Sequence, residues 1–144
     1  MRIRWMAAAA AALVLVGCSS DPPEYRPPAG ELAAGTAEVT VNGRDAGVIE
    51  SVTCDTTGPL STITTDENGS SLTAMVSNET DLSTQFVRIR DLGGFTGSYN
   101  VGIQGEADVT MTGLTYDISG TAYGYDTDAP SFRAPATFAI KVSC

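Results

Sequence analysis

The chain has 144 residues, 17 of them acidic and eight basic, with three cysteines and no histidine. The missing histidine removes Ser-His-Asp and Cys-His mechanisms and the usual zinc sites. A formal net charge of −9 repels phosphate backbones, which excludes nucleic acid as a partner.

At the N-terminus Arg2 and Arg4 form a short positive region, separated by Ile3, so the paired-arginine export signal is absent. Trp5 to Val16 is an uncharged, Ala-rich run of 12 residues. Crossing a bilayer as a helix takes about 20 apolar residues, so this run is a signal segment and not a permanent anchor. It ends in Leu15-Val16-Gly17-Cys18, which looks like a bacterial lipobox: cleavage falls between Gly17 and Cys18, and diacylglycerol is attached to the Cys18 thiol. The alternative is an ordinary secretory signal whose apolar run ends near a cysteine. Residues 1–17 are thus assigned to a lipoprotein signal peptide, leaving a mature chain of 127 residues, enough for one domain with its own core. Loss of Arg2 and Arg4 leaves six basic against 17 acidic residues, a net charge of −11. Such a surface does not hold to anionic headgroups by charge, so membrane attachment is assigned to the acyl chains, each buried CH₂ contributing about 0.8 kcal/mol.

Residues 18–36 read as the lipidated cysteine and a tether. Pro22, Pro23, Pro27 and Pro28 fall here among Ala, Gly and scattered acids, a composition that favours extended, semi-rigid conformations. At about 3.1 Å per residue, Ser19 to Thr36 would reach roughly 55 Å fully extended.

From residue 37 to 144 the texture changes to short Thr- and Val-rich runs. Val39 and Val41 alternate with polar residues and end at Asn42-Gly43, a strong turn signal. Val48–Cys54 follows, then Leu60–Thr65, closed by Asp66-Glu67-Asn68-Gly69. Leu72, Ala74 and Val76 share one strand face. Val87 and Ile89 share another, opposite Phe86, Arg88 and Arg90. Later runs are Tyr99–Ile103, Ala107–Thr112, Leu114–Ala122 and Thr137–Cys144, with a short helical turn conceivable at Asn78–Ser83. About nine short strands at roughly ten-residue spacing, without a sustained helical period, predict an all-β antiparallel sandwich or barrel-like domain.

With Cys18 assigned to lipid, Cys54 and Cys144 remain as an even pair in an exported protein, where a disulfide is favoured over two free buried thiols. Cys144 shares strand parity with Phe138, Ile140 and Val142, and Cys54 with Val52, so both sulfurs are expected to face inward in a buried bridge. Glu50 has the same parity as Val52 and Cys54, which implies either a bulge or open edge, or a polar group lining a cavity. Arg88 and Arg90 are read as a solvated strand face. Most carboxylates (Asp66, Glu67, Glu79, Asp81, Asp91, Asp126, Asp128) are assigned to turns. Asp126-Thr127-Asp128 and Asp66-Glu67-Asn68-Gly69 lack a full calcium ligand set. No catalytic, cofactor or metal residues are expected, and the only bound group is the covalent lipid on Cys18.

The segments Val39-Thr40-Val41-Asn42-Gly43, Ser51-Val52-Thr53-Cys54, Tyr116-Asp117-Ile118-Ser119-Gly120-Thr121-Ala122 and Phe138-Ala139-Ile140-Lys141-Val142-Ser143-Cys144 together resemble the mycobacterial nineteen-kilodalton lipoprotein antigen family. The resemblance covers nearly the whole precursor and includes the two domain cysteines. It implies a surface-exposed, acylated, non-enzymatic antigen, sensed by host Toll-like receptors and involved in adhesion to host cells. The best-known member has a Thr-rich tether that carries mannose, whereas this tether offers only Ser19, Ser20 and Thr36. The alternative function is a carrier that shelters a hydrophobic ligand such as a lipid.

Overall fold

The computed structural model describes Gly17 and residues 21–144. Arg2, Arg4, the Trp5–Val16 run, Cys18, Ser19 and Ser20 lie outside the described residues. Ten antiparallel strands follow: β1 (Ala37–Val41), β2 (Arg44–Ile49), β3 (Val52–Thr57), β4 (Leu60–Glu67), β5 (Ser70–Ser77), β6 (Ser83–Leu92), β7 (Phe95–Asn100), β8 (Glu106–Thr112), β9 (Thr115–Asp126) and β10 (Ala134–Ser143). They form one sheet in the order β2-β1-β10-β9-β7-β6-β5-β4-β3, with β8 paired to β9 off that path. The domain is therefore all-β, as the turn spacing implies, and of the two predicted architectures the sheet takes the barrel-like one.

Two turns follow directly from local chemistry. Asn42-Gly43 and Asn68-Gly69 each place two successive residues at positive φ (50° and 77°, then 53° and 85°), the arrangement that matches the twist of a two-residue hairpin. The Asn42 side chain is fixed as well, its Oδ1 accepting from the Thr137 N–H at 3.0 Å.

Alternation then fills the interior. Val39 and Val41 from β1 meet Phe138, Ile140 and Val142 from β10, with Ile63, Leu72, Ile89, Phe95 and Ile118 fully buried from other strands. Thr65 is buried too, and its hydroxyl accepts from the Leu72 N–H at 3.1 Å, so the polar atom is satisfied.

The expected run Val48–Cys54 is not one strand. It breaks at Glu50-Ser51 into the end of β2 and the start of β3, and Glu50 is exposed in that connection. Glu50 thus lines no cavity; its parity with Cys54 has no meaning across a break. The Tyr99–Ile103 run is likewise corrected. β7 ends at Asn100, and Val101 and Ile103 stand in an exposed turn closed by the Asn100–Gln104 bridge. Within Asn78–Ser83, residues 79–81 form a bend in place of the helical turn, and Ser83 already begins β6.

Residues 31–36 lie against the domain: Leu32 N–H donates to Thr115 Oγ1 at 3.1 Å, and Gly35 N–H to the Ser143 carbonyl at 2.9 Å. Hydrogen bonds to the Thr115 side chain of β9 and the Ser143 carbonyl of β10 hold this stretch despite its loop-like composition.

β9 carries the tightest packing. It pairs with β10 from Thr115 to Gly124, while its other edge is divided between β8 (Thr115–Thr121) and β7 (Tyr123–Asp126). A Cβ on Gly120 would overlap the Glu106 carbonyl and the Ala107 Cα, so β8 can lie against β9 only if this position has no side chain. Gly120→Val is expected to lower stability in urea unfolding by about 1–3 kcal/mol, the range for overpacking. Ser119→Val, at an exposed neighbour, should stay within about 0.5 kcal/mol of the parent.

Candidate functional site

Cys54 and Cys144 are joined by a disulfide with Cα atoms 5.9 Å apart, across a sequence separation of 90. The bridge differs from the buried one expected. Cys144 lies one residue beyond β10 and is exposed, while Cys54 is half-buried against the core. The bridge therefore sits at one end of the barrel. There it ties β3, the last strand on the sheet path, to the strand beside β1, and the Val52 N–H reaches the Gly35 carbonyl at 3.4 Å in the same region. Closure of the sheet depends on this covalent seam and on few hydrogen bonds.

On the outer face of β6, β7 and β9 runs an open groove of about 530 Å³. Registry builds it. Arg88 is opposite Ser98, Ser98 is opposite Tyr123, and Thr96 is opposite Tyr125, so alternate residues of three adjacent strands share one outer face. Arg88, Arg90, Thr96, Ser98, Tyr125 and Thr127 line the groove together with Asp91. One end is organised by Asp91, a non-glycine residue at φ 50°. Its N–H donates to Thr96 Oγ1 (3.0 Å), its carbonyl accepts from Ser70 Oγ (2.6 Å), and its Oδ1 accepts from Thr127 Oγ1 (3.3 Å). The other end is organised by Gln104. Its Nε2 donates to Ser98 Oγ at 2.9 Å and its Oε1 accepts from Arg133 Nη2 at 3.4 Å, with the Arg133 guanidinium 4.7 Å from the centre of the Tyr123 ring.

Arg88 and Arg90 are exposed, as expected of a strand face. Sequence reasoning missed their company: Thr96, Ser98 and Tyr125. The signal was the two-residue spacing of Tyr123 and Tyr125, which matches that of Arg88 and Arg90, but nothing in the sequence declares that β6, β7 and β9 are neighbours.

The acidic turns stay apart from one another. Asp126 and Asp128 share a depression with Arg44 and Asn42 beside the Gly93-Gly94 turn, while Asp66 and Glu67 end β4. Among the described residues no three acidic or cysteine side chains converge in a manner that would hold a metal ion. Tyr99 is the titratable group whose setting matters most. It is buried, its hydroxyl donates to the Thr84 carbonyl at 3.2 Å, and burial, followed by the Asp108 charge, raises its pKa above the ordinary 10.0.

Residues 30–144 match the profile of the Mycobacterium 19 kDa lipoprotein antigen. The chain belongs to that family. The match begins where the chain docks onto the barrel and runs through Cys144. A lipoprotein of Mycobacterium indicus pranii is 42% identical over the full length of both chains. A lipoprotein of Mycobacterium avium subsp. hominissuis is 33% identical over 96% of this chain and 92% of its own. Lipoprotein LpqH of Mycobacterium tuberculosis is 31% identical over 78% of this chain and 71% of its own. Membership makes this a mycobacterial-type lipoprotein antigen of the cell envelope.

Two outcomes follow from the site geometry. Replacing Cys54 and Cys144 together by Ala opens a loop of 90 residues and should cost roughly 4 kcal/mol on the chain-entropy account, seen as a clear fall in melting temperature that reductant reproduces in the parent. Tyr99→Phe removes the bond to the Thr84 carbonyl and should cost about 1 kcal/mol at neutral pH. Because the fold holds Tyr99 protonated to higher pH than the unfolded chain does, its contribution is full below about pH 10 and is lost as pH rises through the folded value. The variant's urea midpoint should therefore fall less steeply with pH in the alkaline range than the parent's.

Proposed function

We propose that the protein is a non-enzymatic, lipid-anchored display domain, held at the extracytoplasmic face of the membrane by acyl chains on Cys18 and presented outward as an antigen with an adhesive role. The observation that carries this reading is the polarity of the barrel. The segment leading from Cys18 docks beside the Ser143–Cys144 end of β10. The Asn42–Gly43 turn, the Gly93-Gly94 turn and the Asp126–Ala129 loop gather around one depression at the opposite end of β1. An anchor at one end leaves these turns facing away from the membrane. The lipobox and the Pro-rich residues 21–30 supply the attachment and the spacing.

The filled interior favours display over carriage. Its buried apolar side chains are Val, Ile, Leu, Ala, Phe and Tyr drawn from both halves of the sheet, the make-up of a close-packed core. Host sensing then belongs to the acyl chains and not to the domain.

Cys18→Ala should leave the domain folded by circular dichroism but move the protein from the detergent phase to the aqueous phase on partitioning. The same variant should carry no lipid in intact-mass spectra and should not stimulate Toll-like receptor signalling, which the acylated chain should trigger. Retention in the detergent phase of a Cys18→Ala chain whose intact mass shows that residues 1–17 are gone would refute the anchor, and stoichiometric lipid in that chain would replace display with carriage.

A further inference from the structure

We propose that the groove across β6, β7 and β9 binds an anionic oligosaccharide, with Arg88 and Arg90 on the acidic group and Tyr125 against a sugar ring. The proposal rests on the display reading, since a glycan borne on another surface reaches the groove only if the domain stands outside the membrane.

Charge is the first argument. The chain from Cys18 onward has six basic residues against 17 acidic ones, yet Arg88, Arg90 and Arg133 all lie on this one face. Asp91 is the one acid lining the groove, and its Oδ1 already accepts from Thr127. An anion is repelled by the protein as a whole and finds local complementarity here, which directs docking to a single place. Guanidinium groups suit this task, because their planar forks pair with carboxylate, sulfate or phosphate oxygens.

The hydroxyls make the second argument. A serine or threonine hydroxyl has one donor and two acceptor positions. Ser98 Oγ accepts from Gln104 Nε2 (2.9 Å) and from Asn100 Nδ2 (3.2 Å), and Thr96 Oγ1 accepts from the Asp91 N–H (3.0 Å). Both acceptor positions of Ser98 Oγ are used inside the protein, which leaves its donor for the groove, and Thr96 Oγ1 keeps its donor together with one acceptor position. Beside two arginines, they present a surface of donors to a ligand rich in acceptor oxygens, as an acidic sugar is.

Shape and topology narrow the class. A volume of about 530 Å³ lies within the roughly 300–1,000 Å³ of small-ligand sites, and the open form admits a chain that continues past the groove. β6, β7 and β9 are all paired on both sides, so a peptide cannot add as a strand at this place. Tyr125 is 38% exposed, which leaves a ring face available for packing while its polar tip stays wet. The groove also neighbours the outward turns, since the Thr127 N–H donates to the Gly94 carbonyl at 2.8 Å.

The test uses the full acylated chain in detergent micelles, titrated with a sulfated, carboxylated oligosaccharide and with an uncharged dextran oligosaccharide of equal length. Binding of the acidic probe that weakens with salt, with no binding of dextran, is the expected result. Arg88→Gln with Arg90→Gln should reduce affinity by about tenfold or more, the scale of charge-assisted hydrogen bonds. Tyr125→Ala should reduce it several-fold, while Lys141→Gln, on the β10 face away from the groove, should leave it unchanged. All variants replace surface-reaching groups and are checked for an unaltered melting temperature. Undiminished binding by the double arginine variant overturns the proposal, as does equal binding of dextran. Displacement by inorganic sulfate at the probe's own concentration reduces the site to a simple anion site and also overturns it. So does binding of vesicles containing anionic phospholipid in place of the oligosaccharide. Loss of glycan binding with intact detergent partitioning would strike this inference alone, whereas loss of partitioning would strike the anchor and leave the groove unaffected.

Discussion

β9 gives one edge to β10 along its length and shares the other between β8 and β7. A strand of 12 residues is long enough for this division, and the chain must leave the sheet between β7 and β8 to make it. The Val101–Gly105 turn is that exit, which is why Val101 and Ile103 are exposed despite their apolar side chains. The close approach has a steric condition: at Gly120 and Gly124 an added Cβ would meet the Glu106 and Thr96 carbonyls. The interior, the groove and the seam all follow from a sheet that can curl at β9.

Curling brings the two ends of the sheet near one another without pairing them along a ladder. β3 ends the path, and what joins it to the β1–β10 region is the Cys54–Cys144 bond with one long backbone hydrogen bond from Val52 to Gly35. An unpaired edge invites association with another chain. Covalent closure at this end restrains β3 at the place where residues 31–36 also dock, so the docked segment and the seam reinforce the same end. The opposite end is left to turns rich in Asn, Gly and Asp.

The functional consequence is a division of labour along the chain. Residues 30–144 carry the match to the lipoprotein antigen family, and they fold into a curled, acidic body. On that body the outer face of β6, β7 and β9 is the exception in charge, because three of the few cations are gathered there with two tyrosines and a row of hydroxyls.

Local rules carried the sequence reading a long way. The turn at Asn42-Gly43, the alternation Leu72-Ala74-Val76, the inward set Phe138-Ile140-Val142 and the pairing of the two remaining cysteines all depend on neighbours in the chain or on parity and compartment, so they were legible. Parity failed where the strand did. Glu50 shares parity with Cys54 only across a break at Glu50-Ser51 that leaves no mark in a run of β-forming residues, and nothing local says that β10 ends at Ser143 and leaves Cys144 exposed. Leu32 and Gly35 are held by bonds to Thr115 and Ser143, more than 80 positions away, which no local pattern announces. Registry between strands distant in sequence decided the rest. Arg88, Ser98 and Tyr123 are each unremarkable polar positions in sequence. They become one surface because backbone hydrogen bonds, which carry no side-chain label, set β6 beside β7 and β7 beside β9.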